Sequence, residues 1–435
     1  MSCDTWNSVK LEEIVEIKGG KRLPKGHSLV DYKTAHPYIR VRDLNNITTL
    51  EKFDGIQYIV EETFSNISRY ITNYKDILLS IVGTIGLTSI VGKTLDNASL
   101  TENCVKLTNH SNEIDYRFLY YYLNSPNGIQ EIKMGTVGAV QAKLPIKNIR
   151  NINVVLPPLQ QQKTIANILS SLDDKIELNN KINKNLEEMA QALYKQWFVD
   201  FEFPNEDGEP YKSSGGEMID SEFGLIPKGW ETSRIKELDL IVTDYVANGS
   251  FKSLKENVNL YEEENYAIFV RNTDLKNGIG SGVKFVDQHS YEFLSKSRLD
   301  GREVIISNVG DVGSVYRCPI LKKPMTLGNN VIMLKSTNGF RYENYLYTYF
   351  SSYIGQGAID SITGGSAQPK FNKTDFRNLK IVLPNKNTLN IFVEIVSEIY
   401  CEIDLNSNQN NILSETRDTL LPKLMSGEIE VPIKG

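Results

Sequence analysis

The chain has 435 residues, 40% of them hydrophobic and 23% charged, which is the composition of a soluble globular protein with room for two to four domains. No apolar run approaches the roughly 20 residues that span a bilayer, and the first ten residues lack a secretory pattern; four scattered cysteines (Cys3, Cys104, Cys318, Cys401) without C-x-x-C spacing point to free thiols in a cytoplasmic protein, not to a disulfide framework or zinc site. The net charge of −6 excludes a uniformly basic nucleic-acid binder, but its distribution is uneven: net +2 over residues 1–150, −7 over 151–226, +3 over 227–380 and −4 over 381–435.

Residues 1–157 read as short strands and turns. Ile77–Ser80, Ile85–Val91 and Asn103–Leu107 are β-prone and punctuated by Gly83, Gly86 and Gly92. Tyr116–Asn124 has helical spacing, Gly135–Gly138 reads as a flexible loop, and Asn151–Leu156 as a last strand stopped by Pro157-Pro158. From Gln160 to Phe198 there is neither Gly nor Pro, enough for a helix of about 60 Å. Its apolar positions keep a 4–3 spacing through Ile165, Leu169, Leu172, Ile176, Asn179, Asn183, Leu186, Ala190, Leu193 and Trp197, a coiled-coil seam interrupted by two asparagines. Residues 200–226 are acidic and rich in turn formers (Pro204, Gly208, Pro210, Gly215, Gly216) and read as an ordered-to-flexible connector. A second globular block opens near Pro227-Lys228-Gly229-Trp230, where Trp230 parallels Trp6.

That second block repeats the first at an offset of 227 residues. Ser80-Ile81-Val82-Gly83-Thr84-Ile85-Gly86 matches Ser307-Asn308-Val309-Gly310-Asp311-Val312-Gly313, and Phe118-Leu119-Tyr120 matches Tyr345-Leu346-Tyr347. Gln141-Ala142-Lys143 matches Gln368-Pro369-Lys370, and Val155-Leu156-Pro157 matches Val382-Leu383-Pro384. The seam recurs as well, through Phe392, Val396, Ile399, Ile403, Asn406, Asn410, Leu413, Arg417, Leu420 and Leu424, within a stretch free of Gly and Pro from Thr388 to Leu421. Connectivity makes the two helices antiparallel. With the seams fully overlapped, paired residue numbers sum to 589, so Ile165 faces Leu424, Trp197 faces Phe392, Asn179 faces Asn410 and Asn183 faces Asn406. Matched seam asparagines suit a register device, because a buried amide is tolerated only opposite a hydrogen-bonding partner.

Catalytic patterns are not found. Gly86-x5-Gly92-Lys93-Thr94 is one residue too long for a phosphate-binding loop, and Gly278–Gly282 reads as a turn, not a dinucleotide fingerprint. The four histidines have no metal-ligand spacing, and neither a G-x-S-x-G elbow nor the (Asp/Asn)-Pro-Pro-(Tyr/Phe) tetrapeptide of amino-methyltransferases is present. These features describe a binding protein rather than a catalyst.

Four segments in order carry a family resemblance: Leu156-Pro157-Pro158-Leu159-x-x-Gln162, Leu193-Tyr194-x-x-Trp197-Phe198-x-x-Phe201, Ser214-Gly215-Gly216-x-Met218, and Gly224-x-Ile226-Pro227-x-Gly229-Trp230. They resemble the central conserved region of the specificity (S) subunits of type I restriction–modification enzymes, and the likeness spans essentially the whole chain. Pro422-Lys423-Leu424-Met425 departs from the Lys195–Phe198 run at the end of the second helix. The resemblance implies an α+β chain with two similar strand-rich target-recognition domains (1–157 and 227–386) and two helical conserved regions (158–226 and 387–435) forming an antiparallel, pseudo-twofold coiled coil. It implies a non-catalytic subunit that reads a split, asymmetric site in double-stranded DNA, one half per domain. Two methyltransferase subunits and two restriction (motor-nuclease) subunits would be its partners. No cofactor is expected in this chain, and AdoMet, ATP and Mg2+ would belong to those partners. Helix length would act as a ruler between the half-sites.

Base readout and phosphate contact call for basic and small polar side chains. The candidates in the first domain are Lys18, Lys21, Arg22 and Lys25 around Gly19-Gly20, then Arg40 and Arg42, then Gln141 and Lys143 in the loop from Gly135. In the second they are Arg271, Lys276, Gln368 and Lys370 in the loop from Ser361, and Lys373. Arg40 and Arg42 alternate along an expected strand and are equally readable as its solvated face, and Gly364-Gly365 as a plain turn. Tyr120, Tyr121, Tyr122, Tyr345, Tyr347 and Tyr349 fit core packing better than base stacking. Two other readings compete with a recognition subunit: the recognition part of a methyltransferase–nuclease carrying its own catalytic site, and a coiled-coil scaffold that does not bind DNA.

Overall fold

A computed structural model describes residues 6–44, 47–138, 141–280, 282–337, 342–365 and 367–432. Cys3, Ser281 and the loop positions 139–140 and 366 lie outside the described residues. The chain divides into two compact units, Met1–Asn179 with Asn408–Gly435, and Asn180–Ser407.

In the first unit a five-stranded sheet runs in the order Glu16–Gly19, Cys104–Thr108, Ile77–Ser80, Thr88–Val91, Thr49–Leu50, antiparallel except for the last pair. A second sheet joins Gln57–Ile59, His36–Ile39 and Ser99–Leu100. The ribbon Asn7–Lys10 with Asn153–Leu156 ties the start of the domain to its end. The central strands Ile77–Ser80 and Cys104–Thr108 are buried at every position; the first is an apolar run up to Ser80, and the second buries Lys106, whose ammonium pairs with Asp76 at 3.1 Å. The strand period of two still sorts their side chains. Ile77, Leu79, Val105 and Leu107 pack with Phe118, Leu119 and Tyr122 of the helix Tyr116–Asn124. Leu78 and Cys104 pack with Ile39 and Leu100 of the second sheet.

The second unit repeats this three-layer plan. Its sheets run Leu240–Asp244, Val331–Ser336, Val304–Ser307, Val315–Arg317, and Leu260–Tyr261, Lys284–Val286, Ala267–Val270, Met325–Leu327, Arg298–Leu299. Val304, Ile306, Ile332 and Leu334 face Leu346 and Phe350 of the helix Glu343–Ser351, while Ile305, Val331 and Met333 face Ile268 and Val270. The offset of 227 holds from Ile77–Ser80 onward. The first strands, Asn7–Lys10 and Glu231–Arg234, are 224 apart, as are Trp6 and Trp230.

Several elements differ from expectation. Gly135 is not loop but the last residue of a helix, Pro126–Gly135, matched by Tyr353–Ile362. Pro126 opens that helix at its first position, where a missing N–H costs nothing, and Ser125 caps it by accepting from Gly128 N. Gly128 and Gly355 are required by contact: a Cβ on either would lie 2.1 Å from the carbonyl of Tyr122 or Tyr349. The connector holds a hairpin, Met218–Ser221 with Gly224–Pro227, and Phe203 stacks on Trp230 with ring centroids 5.1 Å apart. Tyr120, Tyr121, Tyr122, Tyr345 and Tyr349 are buried core residues, and Tyr347 packs edge-on against Tyr400.

The long helices are Leu159–Tyr194, followed by a π-helical turn Lys195–Val199, and Lys386–Met425. The second does not stop before Pro422 but carries it inside its last turn, at the loss of one backbone bond to the Asp418 carbonyl. Every seam position of both helices is buried or half-buried. Within the first unit Asn179 Nδ2 donates to Asn410 Oδ1 and to Gln409 Oε1, both at 2.8 Å. Within the second, Asn406 Nδ2 donates to Asn183 Oδ1 at 2.9 Å, and Trp197 meets Phe392 at 5.8 Å. Asn179–Asn410, Asn183–Asn406 and Trp197–Phe392 each sum to 589, so the expected antiparallel register is present in both units.

Candidate nucleic-acid interface

Each unit gathers four chain segments through the same backbone bonds. In the first, Leu144 N donates to Ile81 O (2.9 Å), Ile81 N to Asn103 O (2.8 Å), and Thr101 N to Ile39 O (3.1 Å), and Lys143 bridges both Val82 and Val137. In the second, Phe371 N donates to Asn308 O (3.1 Å), Asn308 N to Asn330 O (3.1 Å), and Gly328 N to Val270 O (2.7 Å), and Lys370 bridges Val309 and Gly364. The duplicated Ser-x-Val-Gly turn is the hub of each frame. It curls back on itself, with Gly86 N donating to Ser80 O and Gly313 N to Ser307 O at 3.1 and 3.0 Å. In the neighbouring loop Gly138 and Gly365 take left-handed conformations (φ 95° and 92°) that bring them against the carbonyls of Gln141 and Gln368.

The frames bring most of the candidate side chains together. In the first unit Lys21 and Arg22 enter beside the 101–103 turn. Arg22 Nε donates to Glu102 Oε1 at 2.7 Å, and Lys21 stands over the Tyr70 ring. Burial raises the Glu102 carboxyl, but hydrogen bonds from Arg22, the backbone and Thr101, together with the Arg22 charge, outweigh it and hold the group below the usual carboxylate range. Gln141 and Lys143 are exposed on the loop. Lys18, on the edge strand and paired with Glu16, and Lys25, in the turn at Gly26, are not tied into the frame by these bonds.

Arg40 and Arg42 are not strand residues. The strand ends at Ile39, and a 3-10 turn, Val41–Asp43, follows. Asp43 accepts from Arg40 N at 2.8 Å and from its guanidinium, which also reaches Gln57. Arg42 remains largely exposed. Arg271 repeats the arrangement: Asp274 accepts from its backbone N and from Nε at 2.9 Å, and from Nη2 at 2.7 Å. Both arginines are therefore fixed by a buried aspartate three residues on. The shared Arg-x-x-Asp was missed in the sequence because it recurs at 231 residues, not 227.

In the second unit Lys276 Nζ bonds Asp311 of the hub turn at 2.9 Å and holds that carboxyl below its usual range. Lys373 Nζ bonds Asp244 Oδ1 at 2.8 Å. Gln368 and Lys370 are exposed. The Lys276–Asp311 pair is exposed and contributes little to stability, so an incoming phosphate can replace its carboxylate at small cost. Two exposed amides beside this frame, Asn329 and Asn330, were not singled out by sequence because an amide carries no charge signal. Among the described residues no group of three or more His, Cys, Asp or Glu is placed to hold a metal ion, and no helix is long and apolar enough to cross a membrane.

Known proteins share the two-repeat organisation. The sequence profile described as "Type I restriction modification DNA specificity domain" matches residues 3–188 and 227–415, one match per repeat. The specificity subunit of the type I restriction enzyme MjaIX of Methanocaldococcus jannaschii is 26% identical over 98% of this chain and 94% of its own. The HindI specificity subunit of Haemophilus influenzae is 24% identical over 78% of this chain and 83% of its own. In fold, the crystal structure of the type I S subunit from M. genitalium superposes with a TM-score of 0.53 over 97% of this chain and 96% of that one, at 15% identity. With the profile covering both repeats, the chain belongs to the specificity subunits of type I restriction–modification enzymes, the DNA-recognising and non-catalytic components of those complexes.

Proposed function

We propose that this subunit reads a split, asymmetric site in double-stranded DNA, one half per globular unit, in the cytoplasm. It docks two methyltransferase subunits and, for cleavage, two restriction subunits; AdoMet, ATP and Mg2+ act on those partners. One observation carries this reading: the two frames share the same backbone bonds but differ in side chains at the tips. Thr101-Glu102-Asn103 stands where the second unit has Gly328-Asn329-Asn330, and Thr84 where it has Asp311. A common frame with different tips suits two half-sites of different sequence, since frame contacts to phosphate position the protein while tip contacts to base edges specify. The long acidic helices suit protein partners better than DNA.

Methylome sequencing of cells with and without the gene tests the proposal. The expected result is one split adenine-methylation motif with unequal halves, present only with the gene. A continuous or palindromic motif, or none in cells that hold active methyltransferase subunits, overturns it.

A further inference from the structure

The second unit contains a cleft of about 430 Å³ on the same side as its frame. Its walls come from three places. The hub turn contributes Asn308 and Val309, the neighbouring turn contributes Asn329 and Asn330, and the segment after Leu240–Asp244 contributes Tyr245, Val246, Phe251 and Lys255. We infer that this cleft reads an A·T pair in the second half-site, with Asn329 and Asn330 on the adenine edge and Phe251 on the thymine methyl. The inference rests on the DNA-reading function proposed above and assigns residues within it.

Phe251 is 84% exposed, the most exposed large apolar side chain among the described residues, and Val246 beside it is 45% exposed. Nothing in the fold calls for an aromatic ring there. The core contacts of the helix Phe251–Asn257 are made by Leu254, which is buried with Phe269 and Leu294. Across the cleft the two amides are exposed on a rigid turn. Asn330 is held in a left-handed conformation (φ 64°), which asparagine tolerates, and its carbonyl is fixed by Asn308 N. A carboxamide presents a donor and an acceptor side by side, matching N6 and N7 of adenine in the major groove, and an apolar side chain matches the thymine 5-methyl.

Charge favours nucleic acid as the occupant. Lys255 lines the cleft, Lys370 is bridged to Val309 of its wall, and Lys373 pairs with the lining Asp244. The acids in reach, Asp244 and Asp311, are already bonded to Lys373 and Lys276. Asn308 adds an unmet demand: its Nδ2 donates to Phe371 O, but its Oδ1 is buried without a partner. The first unit differs at the equivalent turn, where Glu102 is engaged by Arg22. A Glu–Arg pair and an Asn–Asn pair present different edges, so the two half-sites differ at this position.

The test uses the full chain assembled with its methyltransferase subunits, in three variants: Phe251→Ala, Asn329→Ala with Asn330→Gly, and Lys255→Ala. Glycine at 330 keeps the left-handed backbone, and Phe251 makes no core contact, so folding is preserved. Methylome motifs and in vitro methylation of oligonucleotides substituted at each base of the second half are the readouts. Expected for the first two variants is a roughly ten- to hundredfold loss of discrimination at one A·T pair of the second half, with the first half unchanged. Lys255→Ala should weaken binding to all sequences alike and reduce the salt slope by about one. An unchanged motif, a change confined to the first half, uniform loss across all sequences for Asn329→Ala/Asn330→Gly, or loss of methyltransferase co-purification overturns the assignment. A wild-type complex that shows no split motif would instead overturn the parent reading.

Discussion

Asp173 shows how one side chain joins a long helix to the globular part of its unit. Its Oδ1 accepts from Arg417 Nη1 at 2.7 Å, and its Oδ2 accepts from the Tyr121 hydroxyl at 2.6 Å and from Thr48 Oγ1 at 3.1 Å. Move 227 residues along and the same joint is rebuilt with other chemistry. Tyr400 replaces Asp173, Thr348 replaces Tyr121, and their hydroxyls meet at 2.8 Å. Arg317 then lies over the Tyr400 ring and pairs with Asp404 at 3.0 Å. Asp173→Ala leaves the buried Tyr121 hydroxyl without its acceptor and the half-buried Arg417 with Asp418 alone, which costs about 2 kcal/mol. The midpoint of urea unfolding should fall accordingly, and an unchanged midpoint refutes the joint. Glu187, in the second unit, is the opposite case. Burial pushes its carboxyl above the usual range despite nearby Arg317, and its Oε1 has no hydrogen-bond partner. A carboxyl raised on folding stabilises the native state only while protonated. That contribution is present below the unfolded pKa and is lost as pH rises through the folded one, so at neutral pH the buried charge opposes folding. Glu187→Gln should therefore raise the unfolding midpoint at pH 8, with the gain shrinking on acidification toward pH 4. No gain at pH 8 would show that the buried charge is fully compensated.

At the scale of elements, the matched asparagines carry the pairing of the helices. Asn406 is 8% exposed and donates to Asn183, which also reaches Ser407 Oγ at 3.3 Å. Asn183→Leu strands the Asn406 amide and should cost about 1–3 kcal/mol. Replacing both asparagines with leucine should recover that loss, because an apolar pair leaves no amide unmet. A double-mutant cycle checks the pairing, and additive single and double effects refute it. This register was legible in the sequence because a 4–3 seam has only one full overlap and connectivity dictates the direction. The helix Pro126–Gly135 was not legible, since Pro126, Gly128 and Gly135 read as breakers until the chain shows them at the first position, at a close contact and at the end. The cationic side of the candidate interface could be read from Lys and Arg alone. Its pairing could not: Glu102 is 80 residues from Arg22, and Asp311 is 35 from Lys276. Sequence distance hides such neutralisation, and uncharged tips such as Asn329 give no signal until a turn places them beside a cleft.

For the whole molecule, the repeated unit is a globular domain with its share of both long helices, since the compact units divide within those helices at Asn179 and Asn408. The two long helices have 36 and 40 residues. If the half-sites are read as proposed, the gap between them is set by helix length. One heptad added to both helices at matched positions keeps every a and d residue in the seam, because the pattern repeats every seven. It lengthens each helix by about 10 Å and turns it by only about 20° from a whole number of turns. At 3.4 Å per base pair the methylated motif should gain about three unspecified base pairs, with both halves unchanged in sequence. A matched four-residue insertion lengthens each helix by about 6 Å and turns it about 40° past a whole turn, which a coiled coil absorbs by local unwinding, so the gap should widen by about one to two base pairs. The motif recovered from the heptad variant decides the matter, for a gap of unchanged length would mean that something other than these helices spaces the two halves.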